Sequence, residues 1–159
     1  MDGGFFCVNL ELEGENMQIE LLELTTKNEL LPLYDVYKDC MYLPNEDKYR
    51  EKIQSWLMDD WIRIFACVHD SKRKGLLVLK FTSTDQAEII GISVEEGSRN
   101  CGLGSFLIQK VQEIFPDAKL NAETDRDAVL FYKKNGFRIT EIQKNYNGET
   151  VTRYLCVKK

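Results

Sequence analysis

One histidine, His69, stands in the whole chain, and the five cysteines (Cys7, Cys40, Cys67, Cys101 and Cys156) are far apart with no C-x-x-C pair among them. Zinc needs clustered Cys and His ligands, so no metal centre is expected. The same scarcity removes most Ser-His and Cys-His hydrolase mechanisms, unless His69 is itself the base. His69 precedes Asp70-Ser71 near a strand end and reads as structural or exposed. The cysteines read as reduced thiols, mostly buried. Positive charge is also scarce: 21 Lys and Arg face 26 Asp and Glu, a net −5. A general nucleic-acid binder needs the opposite balance. The clearest basic run, Lys72-Arg73-Lys74, is followed by Gly75 and reads as a hairpin turn. No apolar run approaches the roughly 20 residues of a membrane span. The N-terminus lacks the basic and apolar regions of a secretory signal. A cytoplasmic location is expected, with no membrane and no nucleic acid as partner.

What is present suits one domain with one core: 159 residues, 43% hydrophobic and 30% charged, as in ordinary globular proteins. Met17-Gln-Ile-Glu-Leu-Leu-Glu-Leu alternates like a first strand. The preceding Glu13-Gly14-Glu15-Asn16 is what a purine-rich ribosome-binding site would encode if translated. Residues 1–16 are therefore expected to be an extension upstream of the natural start, or a short genuine one, ahead of a domain at 17–159.

Leu30, Leu31, Leu33, Tyr34, Val36 and Tyr37 recur at helical spacing from Lys27 to Cys40, with Pro32 read as falling in the first turn. A second helix spans Glu46 to Met58. Strands are expected at Ile62–Val68, Leu76–Phe81 and Ala87–Val94, forming an antiparallel meander. The best-patterned helix carries Leu103, Phe106, Leu107, Val111 and Ile114 and stops before Pro116. A short strand at Ala118–Ala122 and a helix at Asp127–Asn135, with Gly136 at its C-cap, follow. Strands at Phe137–Ile142 and Thr150–Val157 close as a hairpin around Asn147-Gly148. The order β-α-α-β-β-β-α-β-α-β-β predicts an α/β (α+β) fold: one mixed sheet of six to seven strands flanked by about four helices. The β-α-β unit at 87–122 requires parallel pairing there, and ligands bind where such a sheet changes connection.

The stretch from Ile92 to Leu107 carries the chemistry. A strand ends at Val94, a loop runs to Arg99, and Gly102 and Gly104 open a helix. Successive backbone N–H groups at such a turn converge on an anion, and the helix N-terminus adds to the field. Glycines let phosphate oxygens approach the backbone. A dinucleotide fingerprint would want Gly or Ala at position 107, which is Leu107, and no Gly-Lys-Ser/Thr of a P-loop exists. A strand-to-helix turn that merely uses glycines is the plainer alternative.

Arg99-x-x-Gly102-x-Gly104 resembles the R/Q-x-x-G-x-G/A signature of the GNAT acetyltransferase family. Ala87–Val94 looks like that family's fourth strand, and Ala128-x-x-x-Tyr132-x-x-x-Gly136-Phe137 resembles its A-x-x-x-Y-x-x-x-G-F motif. The likeness is specific over residues 76–142. Asp125 departs from the asparagine the family often carries.

The resemblance implies the GNAT fold and an enzyme that moves an acetyl group from acetyl-CoA to a primary amine by direct attack in a ternary complex. Coenzyme A would lie in a V between the strand ending at Val94 and the strand 118–122. Its pantetheine would pair with Ile92, Ser93 and Val94. Gly97, Asn100, Cys101, Gly102, Leu103 and Gly104 would surround the pyrophosphate. Arg99, Ser105, Asp125, Ala128 and Tyr132 complete the expected cofactor contacts. A backbone N–H near Val94 would polarise the thioester carbonyl. Glu88 is the candidate base, an exposed or ion-paired strand residue being the alternative. Ile90, Ile92 and Val94 share its face by the two-residue period. Tyr132 matches the family's general acid; a packed helix tyrosine would sit at the same place.

A small-molecule amine is the expected acceptor, with a protein amine, terminal or lysine, and a non-catalytic CoA-binding module as alternatives. The segments Tyr37–Asp47 and Tyr146–Arg153 are expected to contact it. Asp35, Asp39, Glu46 and Asp47 are candidates to meet a cation. A monomer or homodimer is expected.

Overall fold

The computed structural model describes residues 5–12 and 15–159, with side chains from Gln18 onward. Cys7 and all of the expected extension thus lie outside the described side chains. Eight strands form one sheet in the order β1-β2-β3-β4-β5-β6-β8-β7. They are β1 Phe5–Leu12, β2 Glu15–Glu23, β3 Ile62–His69, β4 Lys72–Ser83, β5 Gln86–Val94, β6 Lys119–Thr124, β7 Arg138–Tyr146 and β8 Glu149–Lys158. Every neighbouring pair is antiparallel except β5 with β6, which are parallel. Seven of these strands follow the expected order. The eighth, β1, pairs along β2, so the expected boundary between residues 1–16 and 17–159 falls inside β2.

Helices cover both faces. On one side lie α1 Lys27–Leu30, α2 Tyr34–Tyr37 and α3 Glu46–Met58; on the other lie α4 Leu103–Ile114 and α5 Val129–Lys134. The expected helix 27–40 is broken. Leu31–Leu33 and Lys38–Cys40 are 3-10 turns that alternate with α1 and α2. Thr26 caps α1 with Glu29 in a reciprocal capping box, so the helix starts at Lys27. Pro32 then falls beyond the first turn, where its missing N–H and its ring disrupt the ladder. The helix α5 starts at Val129, two residues later than expected. Asp125 Oδ1 accepts from the N–H groups of Asp127 and Ala128 and holds them in a turn ahead of it.

Two cores result. Leu103, Phe106, Leu107 and Val111 of α4 pack with Ala87, Ile89, Leu120, Ala122 and Tyr132. Leu30, Val36, Tyr37, Tyr49, Ile53 and Trp56 pack against the opposite face of β3 and β4. Among the four described cysteines, Cys67 and Cys156 are buried, whereas Cys40 and Cys101 are exposed. No described helix is long and apolar enough to cross a membrane.

Candidate active site

The sheet is split at its centre. β5 and β6 pair only at Gln86↔Lys119, Ala87↔Leu120 and Glu88↔Asn121. Beyond Glu88 they diverge, and a cleft of about 920 Å3 opens between them. A break in register on β5 shapes one wall. Val78 faces Gly91 while Leu79 faces Ile89, so Ile90 is an extra residue, a β-bulge. The bulge changes which residues share a face. Ala87 and Ile89 point to α4, and so do Ile92 and Val94. Gly91 and Ser93 point to α2: the Ser93 hydroxyl donates to Val36 O at 2.6 Å, and a Cβ on Gly91 would meet the Tyr37 hydroxyl at 2.1 Å. The expected grouping of Glu88 with Ile92 and Val94 is therefore corrected. The two-residue period holds only up to the inserted residue, and Glu88 lies on the face opposite α4.

Past the pairing with β6, one edge of β5 is open. Two protein groups reach its carbonyls: Cys40 Sγ–H donates to Ile92 O at 2.8 Å, and Arg99 Nε–H donates to Val94 O at 3.0 Å. Amide groups alternate along a strand, so Ile92 and Val94 present N–H and C=O to the cleft. The backbone of Ser93 faces β4 instead, as does that of Glu95, whose N–H donates to Lys74 O at 2.8 Å.

The loop after β5 builds an anion cradle. Asn100 has φ 62° and Gly102, the N-cap of α4, has φ 82°. Left-handed residues separated by one position turn consecutive N–H groups to the same side, the arrangement of an anion-binding nest. The α4 dipole points into it. Gly104 serves packing as well: a Cβ there would lie 3.0 Å from the ring of Phe131. Arg99 Nη2 is paired with Asp39 across the cleft.

Tyr132 stands on the other wall. Its position comes from the way α5 ends: Phe137 N–H donates to Tyr132 O and Gly136 N–H to Lys133 O, both at 3.1 Å. With Gly136 at φ 86° this is a Schellman close. The Tyr132 ring packs edge-on against Phe137 with centroids 5.2 Å apart. Burial, then the neighbouring thiols of Cys156 and Cys40, push its phenol well above the ordinary value. The group is thus a neutral donor at physiological pH, and no described group hydrogen-bonds to its hydroxyl.

Most expected site residues line this one cleft: Ile92, Ser93, Val94, Arg99, Asn100, Gly102, Leu103, Gly104, Ser105, Asp125, Ala128 and Tyr132. Glu88, Gly97 and Cys101 do not; Glu88 sits where β5 and β6 are still paired. Of the segments expected to meet the acceptor, Asp39, Cys40 and Arg153 reach the cleft. Three of the four acids expected to meet a cation carry partners of their own: Asp35 with Lys38 at 3.4 Å, Asp47 with Arg50 at 3.2 Å, and Asp39 with Arg99. Sequence reasoning missed Glu123. The alternation of Lys119-Leu-Asn-Ala-Glu-Thr124 was its signal, since Leu120 and Ala122 are buried and Glu123 must face the other way.

A family model described as the acetyltransferase (GNAT) family matches residues 30–137. The chain belongs to the GNAT acetyltransferase family. It is an acyl-CoA-dependent N-acetyltransferase whose cofactor is acetyl-CoA. Solved structures share the GNAT fold at low identity. A GNAT-family protein from Desulfovibrio desulfuricans is 16% identical, with TM-score 0.73, covering 89% of this chain and 98% of that one. The acetyl transferase from Salmonella typhimurium that modifies the N-terminal serine of ribosomal protein L7/L12 is 13% identical, with TM-score 0.71, covering 87% and 94%. A GNAT-family acetyltransferase from Elizabethkingia anophelis with acetyl-CoA bound is 20% identical, with TM-score 0.55, covering 96% and 95%. Comparison with curated proteins finds no match.

The residues of this GNAT cleft fit the cofactor. A nest opening a twelve-residue helix suits a pyrophosphate. An open strand edge with two outward-facing amide units suits an extended amide chain such as pantetheine.

Proposed function

We propose that the enzyme acetylates a primary amine by direct attack, with acceptor and cofactor bound together. The carrying observation is the two-sided cleft. On the α4 side the nest at Asn100–Gly104 and the edge of β5 suit the cofactor. On the opposite side Asp39, Glu123 and Arg153 leave a separate approach for the acceptor.

Acetyl-CoA, when bound, supplies an activated acetyl thioester. The N–H groups around Gly102 hold its phosphates, helped by Arg99 once that side chain leaves Asp39. Ile92 and Val94 would orient the pantetheine, and one of their N–H groups would be the donor toward the thioester carbonyl. Tyr132 holds a proton on its hydroxyl for the departing sulfur. A phenol kept neutral by burial makes a usable hydrogen-bond donor to a thiolate. The ammonium of the acceptor must lose a proton, since alkyl ammonium groups have a pKa near about 10.4. Glu88 serves as the base through water. It shares the face of Glu123, because its parallel neighbour Asn121 alternates with the buried Leu120 and Ala122. The acceptor is a small molecule, the protein works in the cytoplasm, and it is a monomer or homodimer.

The test is thermal shift and calorimetry with acetyl-CoA, NAD and ATP, followed by thiol release in the presence of amines. Acetyl-CoA should raise the melting temperature by mass action and the others much less. No shift at millimolar acetyl-CoA would remove the cofactor assignment.

A further inference from the structure

The acceptor side of the cleft carries charges that the transfer itself does not use. Glu123 on β6 faces away from the α4 core, and Arg153 on β8 lies beside it on the same face. Lys144 of β7, outside the cleft lining, backs the pair: its ammonium hydrogen-bonds to Glu123 Oε2 at 2.8 Å and lies 2.7 Å from Oε1. The ammonium thus lies against both oxygens of the carboxylate, and Oε1 is ion-paired although it makes no regular hydrogen bond. Arg153 Nε is buried without an acceptor. Glu123 Oε1, 3.6 Å away, is beyond its hydrogen-bond reach. Two cations against one carboxylate leave one positive charge in excess.

Nε itself is closed off, but the Arg153 side chain is 28% exposed, lines the cleft and donates no hydrogen bond to any described group, so an anion in the cleft can meet the rest of its guanidinium. Carboxylates are the anions that a guanidinium matches best in shape. A polyamine would bring further positive charge against Arg153, which opposes binding at that wall. A peptide N-terminus would present a neutral amide there.

We infer that the acceptor is an amine bearing a carboxylate, of the α-amino-acid class, and that Arg153 reads that carboxylate. The inference rests on the proposed transfer reaction and narrows its substrate. Glu123 is the positioning residue: held by Lys144, it keeps the guanidinium at the cleft wall through an ion pair at 3.6 Å. The amine end then points toward the thioester between Ile92 and Tyr132.

The experiment measures thiol release from acetyl-CoA with the proteinogenic L-amino acids, their α-amides, spermidine, and short peptides with free N-termini. Calorimetry of acetyl-CoA alone runs in parallel. At least one amino acid should be acetylated with kcat/KM tenfold or more above its amide, and spermidine should be poor. In Arg153→Gln the reaction of the acid should fall about 10–100-fold, the range for losing a hydrogen bond to a charged group. The acid-to-amide ratio should collapse toward one. Arg153→Lys should restore part of the preference, and it serves as the second variant if the glutamine form fails to fold in a thermal melt. Amides, peptides or spermidine matching the acids would overturn the inference, as would equal losses for acid and amide. So would failure of every amino acid while acetyl-CoA still binds, which would leave the cofactor assignment standing. Absence of acetyl-CoA binding would instead strike the underlying reading.

Discussion

The position of Tyr132 is decided by the way α5 ends. Gly136 accepts a left-handed conformation, Phe137 folds back on the ring, and α5 ends in a Schellman motif. The hydroxyl is left free of protein partners and open to the cleft. Tyr132→Phe keeps the ring packing and removes only that proton. Turnover is expected to fall by about 10²–10⁴, the typical contribution of a general acid. The Michaelis constants should stay nearly unchanged, because a contact made only in the transition state lowers kcat alone. Steady-state kinetics with calorimetry of acetyl-CoA checks this. Wild-type turnover in the phenylalanine variant would make Tyr132 a packing residue.

Among the elements, the loop from Glu95 to Gly102 does most to define the site. Asn100 and Gly102 both sit at positive φ, and the N–H groups between and after them converge ahead of α4. A left-handed conformation costs a residue with a Cβ roughly 1–2 kcal/mol. Gly102→Ala is therefore expected to lower stability by about that amount and to weaken acetyl-CoA at least tenfold as the nest flattens. Urea melts and calorimetry separate the two effects. Undiminished affinity in the folded variant would mean that the nest is not the pyrophosphate site. Gly104 is a poorer test, because a side chain there would press on Phe131 and disturb α5. The element α2 and the turn after it have a different task. They dock on the face of β5 through the Ser93–Val36 bond, reach its edge at the Ile92 carbonyl through Cys40, and hold Arg99 through Asp39.

The whole molecule consists of two packed layers on either side of one sheet, and each core contains buried phenols. Tyr37 and Tyr49 lie in the core under α1–α3, and Tyr132 lies in the core under α4. Burial raises all three above the ordinary phenol value. Each stays protonated in the folded state at a pH where it ionises in the unfolded chain. The unfolded state then binds fewer protons, and stability falls as pH rises. The loss should begin near the unfolded value of about 10 and continue until the folded phenols titrate. Three groups give a limiting slope of about 4 kcal/mol per pH unit, at about 1.4 for each. The buried Cys67 thiol, pushed up to about 12 by burial, adds to it from its own lower starting value. Denaturant melts between pH 8 and 11 would show this. A flat profile to pH 11 would mean that these phenols are already hydrated in the native state.

The order of elements, the left-handed turn ahead of α4 and most residues that line the cleft were legible in the sequence because each rests on local physics. Alternation marks β5, the apolar stripe marks α4, and Gly102 marks a turn that a Cβ would strain. Gly136 with Phe137 likewise announces the end of α5. Three matters needed the tertiary structure. The bulge at Ile90 reverses the face of every later residue on β5, and nothing in Ile89-Ile90-Gly91 distinguishes an inserted residue from a regular one. The pairing of Asp39 with Arg99 spans sixty positions, a separation that no helical or strand period reaches. The cluster of Glu123, Lys144 and Arg153 joins three strands whose order, β6-β8-β7, is not their order along the chain. Periodicity determines which way a side chain faces along its own strand. Which charges then meet across the sheet is settled by how the strands pair, and that depends on the packing of the whole chain.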